Sequence, residues 1–421
     1  MNPALQRRLV LPGSLIPGDV HRVTSVQTGI GGKGQDVVVA LSCLAKNNDG
    51  NDDDDVDNNN NNNNNNHQEK MQLPRLLQFL GRGATGDTLL GQLDPHVDRI
   101  ASFTIRTQSP LRVCTSLVGT DSTTELVEPS GKITSTEMDE LWRCFDHQNY
   151  NDDDDGVGSW DGCAFMGSLP PDCPTDIYAQ LYHKLTPDLC LIDSLVGLPA
   201  LLETIHLQKQ EQQQQQEESS SKDIPFRHGS VVLKINVDEL CALAGLSKKE
   251  ETQEHNTDAT VAKAIGMFLK KFEKASTSLT AVALTNGPDP AYVASMVDHT
   301  LYRVPVPQLP KTTATATTMY PIGAGDAVAA GTLAAWQTLE QDATLLMSDS
   351  VQTLLNEKQQ RHQDTLPTIV TAFSFGLACG TASCLQPENS VLDVSDVLRL
   401  FRQVGKPTRV HEIPSTTMST Q

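Results

Sequence analysis

The sequence predicts an α/β protein: a mostly parallel sheet covered on both faces by helices, with a small additional β-sheet. Three observations carry that prediction. Short apolar runs of strand length alternate with longer helical segments along most of the chain, which is the pattern of βαβ units. Runs such as "DLCLIDS" and "GSVVLKI" are almost wholly apolar, as strands between two helical layers are. Hairpin-like material near residues 8–30 and 101–128 reads as the extra sheet.

Taken in order, "DVVVALSCLA" (36–45) reads as a helix and "RLLQFLG" (75–81) as a strand. "DTLLGQLDPHV" begins as a helix. "RVCTSLVG" and "TTELVEP" are short strands joined at "TDS", a hairpin. "SWDGCAFMG" leads a strand into a turn at "SLPPDCP", and "TDIYAQLYHKL" follows as a helix. After the two buried strands, "VDELCALAG" is a helix closed by glycine. "VAKAIGMFLKKFEKA" is an amphipathic helix, "TAVALTNG" a strand, and "TIVTAFSFGLACGTASCL" a helix rich in small residues.

Three stretches are too polar to join a core: residues 47–70, 147–158 and 208–222. Their Asn, Asp, Gln and Ser content predicts disordered surface insertions, and residues 411–421 a flexible tail. The remainder forms one domain across 1–421. The net charge is −20, from 52 acidic and 32 basic residues. Phosphates would be repelled, which argues against a nucleic-acid partner. Nine cysteines are spread singly, with no C-x-x-C pair and no zinc spacing. That usage predicts reduced, mostly buried thiols. No apolar run has the length of a signal peptide or a membrane span. A cytoplasmic protein with no membrane partner is the expectation; an organellar address ahead of Met1 stays open.

"GIGGKG" (29–34) and "GRGATG" (81–86) both fit G-x-G-x-x-G. Neither is followed, about 20 residues later, by an acid placed to hold a ribose, so a dinucleotide site is disfavoured. No G-x-x-x-x-G-K-[ST] loop occurs. "GGKGQD" (31–36) and "GAGD" (323–326) are the more informative stretches. Each opens a helix with glycines, and a helix start with free amides is an anion site. Taken singly, each also fits an ordinary tight turn.

The chain resembles the ribokinase/PfkB family of carbohydrate kinases, nearest its 1-phosphofructokinase and tagatose-6-phosphate kinase branch. The resemblance rests on "NPAL" (2–5), "PGDVHRV" (17–23), "GGKG" (31–34), "TELVEPSGKIT" (124–134), "GSLPPDCP" (167–174), "LKINVDEL" (233–240) and "PIGAGDAVAAG" (321–331), which arrive in family order. It implies a ribokinase-like three-layer sandwich with a small β lid, ATP and Mg2+ as cofactors, and a homodimer through the lid strands. It implies phosphorylation of a sugar-phosphate hydroxyl, with fructose 1-phosphate as the first candidate acceptor. Tagatose 6-phosphate and fructose 6-phosphate are the near alternatives. A degenerate, non-catalytic binding protein on the same scaffold is a further one. The chain departs from the pattern in five places, one of them Ile235 in place of a proline. No strand precedes "NPAL", Gln6 stands for an acid, Asp36 for an asparagine, and Pro290 where glycine is common.

Carried over residue by residue, the resemblance implies Asp326 as general base, with Gly323, Ala324 and Gly325 giving amides to the transferred phosphoryl group. From spacing alone, Asp326 is equally a helix cap. Gln6, Gly31, Gly32, Lys33, Asp36, Arg112 and Ser168 would bind the acceptor, Lys33 and Arg112 taking its phosphate. Lys234, Asn236, Thr285 and Gly287 would touch the nucleotide. Glu239 and Asn236 would order magnesium through water. Glu239 also fits a first-turn acid complementing the helix dipole.

Overall fold

The computed structural model describes residues 1–45, 73–120, 122–150, 161–218, 229–246, 258–309, 319–341, 347–361 and 366–413. The expected insertion 47–70 lies outside them. In chain order the first elements are β1 (Ala4–Val10), β2 (Ser25–Gly31), α1 (Lys33–Ala45), β3 (Gln78–Gly81) and α2 (Ala84–Leu93). After two 3-10 turns come β4 (Thr104–Thr107), β5 (Val113–Val118), β6 (Thr123–Val127), α3 (Ser135–Tyr150), β7 (Gly162–Met166) and α4 (Ile177–Leu185). Next are β8 (Leu189–Asp193), α5 (Leu198–Glu218), β9 (Ser230–Asn236), α6 (Val237–Ala244), α7 (Asp258–Lys271) and α8 (Ala275–Ser278). The last are β10 (Ala281–Thr285), β11 (Ala291–Ser295), β12 (Thr300–Val304), α9 (Ala324–Gln341), α10 (Asp349–Gln360), α11 (Thr368–Ser383), α12 (Val394–Gln403) and β13 (Thr408–Glu412).

Seven strands form the main sheet in the order β13-β12-β11-β10-β9-β8-β7. β7 to β10 run parallel, and β10 to β13 antiparallel. One apolar core joins a face of this sheet to α1, α9, α10, α11 and α12. A second joins the other face to α3 through α8. The two faces separate by strand periodicity: Leu189 and Leu191 enter the first core, Cys190 and Ile192 the second. The small sheet runs β2-β1-β5-β6. Ala4, Gln6 and Arg8 are buried on its inner side, while Val26 and Leu126 are exposed.

Helix α9 packs closely on α11, and the small residues serve this contact. A Cβ on Gly331 would lie 2.5 Å from Cys379 Sγ, and one on Gly376 would lie 2.2 Å from Thr332 Oγ1. That contact fixes the axis, and so the start, of α9.

Several boundaries correct the expectations. Residues 208–218 continue α5. Gln and Glu are good helix formers, and the turns they extend are already anchored by buried Leu198, Leu201, Leu202 and Ile205. Residues 147–150 likewise end α3. His411 and Glu412 belong to β13, paired with β12 ahead of buried Ile413. The lid begins at Ala4 rather than near residue 8. Thr104–Thr107 is not lid material but pairs in parallel with β3. Met1 is buried, and its carbonyl accepts the Phe79 N–H at 3.3 Å.

Candidate active site

A cavity of about 540 Å³ lies between the lid and one end of the main sheet. The strands β7, β8 and β9 reach it at their carboxyl ends, where α/β folds place their ligands. Helices α1 and α9 point their amino ends into it. Of the residues singled out in the sequence, Gln6, Gly32, Lys33, Asp36, Arg112, Ser168, Glu239, Gly323 and Asp326 line it. These come from six separate stretches of sequence, so the fold converges them.

The start of α9 is shaped by two close approaches. Gly323 has φ +83°, and a Cβ there would lie 2.7 Å from Ser390 Oγ, which itself donates to the Gly323 carbonyl at 2.9 Å. Only glycine fits that position. A Cβ on Gly325 would lie 3.4 Å from Lys234 Nζ, so this ammonium rests against the bare main chain of the cradle. The three predicted amides are not equivalent. The Ala324 N–H is already donated to the Pro321 carbonyl at 3.2 Å. The N–H groups of Gly323 and Gly325 find no main-chain acceptor among the described residues, as helix starts leave them.

Asp193 organises the charges beneath this cradle, and the sequence reading missed it. Its buried carboxylate accepts from Lys33 Nζ at 2.5 Å and from Lys234 Nζ at 2.6 Å. Burial alone would raise its pKa; the two ammonium groups hold it below the usual carboxylate range. The same pairing overcomes the burial of Lys33 and raises its pKa. Lys33 thus lines the cavity already paired with Asp193. Its stem lies along Gly167, where a Cβ would come within 3.3 Å. Asp193 did leave a signal: it is an acid ending an otherwise apolar buried strand.

Asp326 is partly exposed to the cavity, and its pKa is pushed up to about 7. Removal from bulk water is the main cause, the Asp193 charge adds to it, and Lys234 and Lys33 oppose it. Asp36 is buried, and its Oδ1 has no hydrogen-bond partner. Burial first, then the charges of Asp326 and Glu125, push its carboxyl well above the usual range. Glu125, on lid strand β6, was also missed. Gln6 turns its amide nitrogen to Ser116 Oγ at 2.5 Å. Arg112 donates from Nε to the Pro3 carbonyl at 3.3 Å and from Nη2 to the Asn2 carbonyl at 3.0 Å. Ser168 accepts from Asn2 at 3.2 Å.

The remaining predicted residues are not in the cavity wall. Gly31 is buried in β2 opposite Ala4. Asn236 and Glu239 form a capping box on α6: Asn236 Oδ1 accepts the Glu239 N–H at 2.7 Å, and Glu239 Oε2 accepts the Asn236 N–H at 2.9 Å. Thr285 is the register partner of Asn236, and Gly287 follows with φ +57°. These three thus sit together at the ends of β9 and β10, beside the cavity. Among the described residues no group of three His, Cys, Asp or Glu side chains could hold a metal alone. Magnesium needs no such cage, since it retains water and shares nucleotide phosphates. Glu239 faces the cavity with one oxygen outside the cap, which fits that manner of binding.

No protein-family model and no curated protein matches the chain. Solved structures do. Phosphofructokinase-2 from Escherichia coli, with potassium, superposes with a TM-score of 0.59 at 18% identity, covering 96% of each chain. A possible 1-phosphofructokinase from Thermotoga maritima gives 0.56 at 16% identity over 98% of each chain. Ribokinase from the same organism gives 0.53 at 12%, covering 95% of this chain and 97% of its own. The chain has the ribokinase-like fold.

Proposed function

We propose that the protein is an ATP-dependent kinase for a hydroxyl of a sugar phosphate, with Asp326 as general base. The observation that carries this reading is the start of α9. A carboxyl tuned near neutrality lines the cavity there with Gly323, beside unpaired amides and close to the Lys234 ammonium that rests against Gly325. Phosphoryl transfer asks for those three things: a base for the hydroxyl proton, alignment, and donors for the charge on the transferred group. Fructose 1-phosphate is the first acceptor to test, giving fructose 1,6-bisphosphate. The resemblance of the sequence motifs supports it. Fructose 6-phosphate and tagatose 6-phosphate come next.

Asp326 takes the acceptor proton, and the Gly323 and Gly325 amides receive the phosphoryl oxygens. Lys234 supplies positive charge beside them. Magnesium, when bound with the nucleotide, neutralises phosphate charge; Glu239 would hold it through water. A phosphate on the acceptor would draw on Lys33 and Arg112. Exposed Val26, Leu126 and Val127 on the lid sheet support a homodimer through its strands. The deciding experiment is coupled detection of ADP over a panel of hexose phosphates and free sugars. Turnover with one acceptor, lost in Asp326→Asn, is the expected result. ATP hydrolysis that no acceptor stimulates would overturn the reading.

A further inference from the structure

Cys163 on β7 and Cys190 on β8 are direct register partners in neighbouring parallel strands. Their side chains leave the same face of the sheet and pack into the second core. Adjacent strands lie about 4.8 Å apart, inside the roughly 4.4–6.8 Å between Cα atoms that a disulfide accepts. The two thiols differ in access. Cys190 is fully buried, whereas Cys163 is half-buried on the strand that ends the seven-stranded sheet. Burial pushes the Cys190 thiol well above its ordinary range, and the ammonium of Lys209 on α5, held by the Ser278 carbonyl at 2.9 Å, opposes this.

We propose that Cys163 and Cys190 form a dithiol modification site, converted to a disulfide by a hydroperoxide. The half-buried Cys163 sulfur attacks the peroxide, whose O–O bond breaks. Cys163 becomes a sulfenic acid, and the peroxide leaves as water or an alcohol. The Cys190 sulfur then attacks the sulfenic sulfur; an S–S bond forms, the S–O bond breaks, and water departs. The two thiols lose two hydrogens, and one peroxide is reduced. The bridge would tie the two strands that carry Gly167 and Asp193 to the cavity, where the Gly167 N–H already donates to the Asp193 carbonyl at 2.8 Å. Cys144 and Cys384 are equally half-buried, but neither lies on a strand opposite another cysteine, so they are internal controls.

The test exposes the full-length chain to hydrogen peroxide, alkylates the remaining thiols, and maps the peptides by mass. A Cys163–Cys190 linked peptide and an intact mass lower by two hydrogens are expected. Cys190→Ser should stop the reaction at the Cys163 sulfenic acid, captured by a carbon-nucleophile trap. Should Cys163 and Cys190 stay alkylatable while Cys144 or Cys384 oxidises, the site does not exist. The wild-type map decides this without any variant, and it does not depend on kinase activity.

Discussion

Helices α1 and α9 enter the cavity from the same face of the sheet, each behind a glycine of positive φ, and each with an aspartate in its first turn. Their surroundings separate them. Asp326 has Lys33 and Lys234 nearby, and their attraction limits the effect of burial, leaving the group at about 7. Around Asp36 every cause acts in one direction: burial, the Asp326 charge and the Glu125 charge all favour its protonated form. Two helix starts with the same local grammar thus yield one carboxyl able to serve as a base near neutrality and one that resists ionising. The lesson is that the glycines create a place for an anion, while residues distant in sequence decide what the neighbouring acid does.

The harshest way to break the comparison is to remove the working acid. Asp326→Asn keeps the shape and abolishes proton acceptance, so turnover should fall by about 10²–10⁴-fold, the usual weight of a general base. The wild-type rate should also decline as pH drops below about 7, as Asp326 takes up its proton. A variant retaining most of its rate at pH 8 would remove Asp326 from the chemistry.

Asp193→Asn attacks what makes the two ends differ. It strands the Lys234 ammonium, which is 5% exposed, without its partner. Breaking a buried pair in this way costs about 3–5 kcal/mol, read as a lower midpoint in urea unfolding. Asp326 would lose the repulsion of Asp193 and keep the attraction of two lysines. Any remaining activity should therefore extend to lower pH than in the wild type. An unchanged profile would mean that Asp193 does not set the charge of the cradle.

Gly323→Ala tests geometry alone. The left-handed backbone and the 2.7 Å approach to Ser390 Oγ leave no room for a methyl group. Strain of roughly 1–3 kcal/mol is expected, relieved by shifting the start of α9. Turnover should drop with stability, and Ser390→Gly should restore part of both.

Much of this arrangement was legible in the sequence. The buried strands, α1, α4, α6, α7 and the small-residue α11 all follow from apolar period and punctuation. The glycine-led starts at 31–34 and 323–326 pointed to the cavity before any coordinates did. What escaped were features set by tertiary partners. Asp193 looked like the end of a strand, because nothing local shows that two lysines from α1 and β9 meet it. The Gln-rich end of α5 looked disordered, because composition ignores the four buried residues that anchor its first turns. The partners of Lys33 and Arg112 were hidden for the same reason.

The mildest test concerns Asp36, and its sign is definite. A carboxyl whose pKa is raised in the folded state takes up protons on folding. Stability then declines as pH rises from the ordinary carboxylate range toward the raised value. Replacing Asp36 by asparagine removes this dependence while nearly preserving shape. The variant should melt with the wild type at acid pH and above it at neutral pH, the gap widening through that window. The gain would come from the unpartnered Oδ1, which in the wild type must lose either its charge or its solvation on burial. A gap that is constant with pH, or reversed, would mean that Asp36 finds a partner in solution, and the contrast between the two helix starts would lose its physical basis.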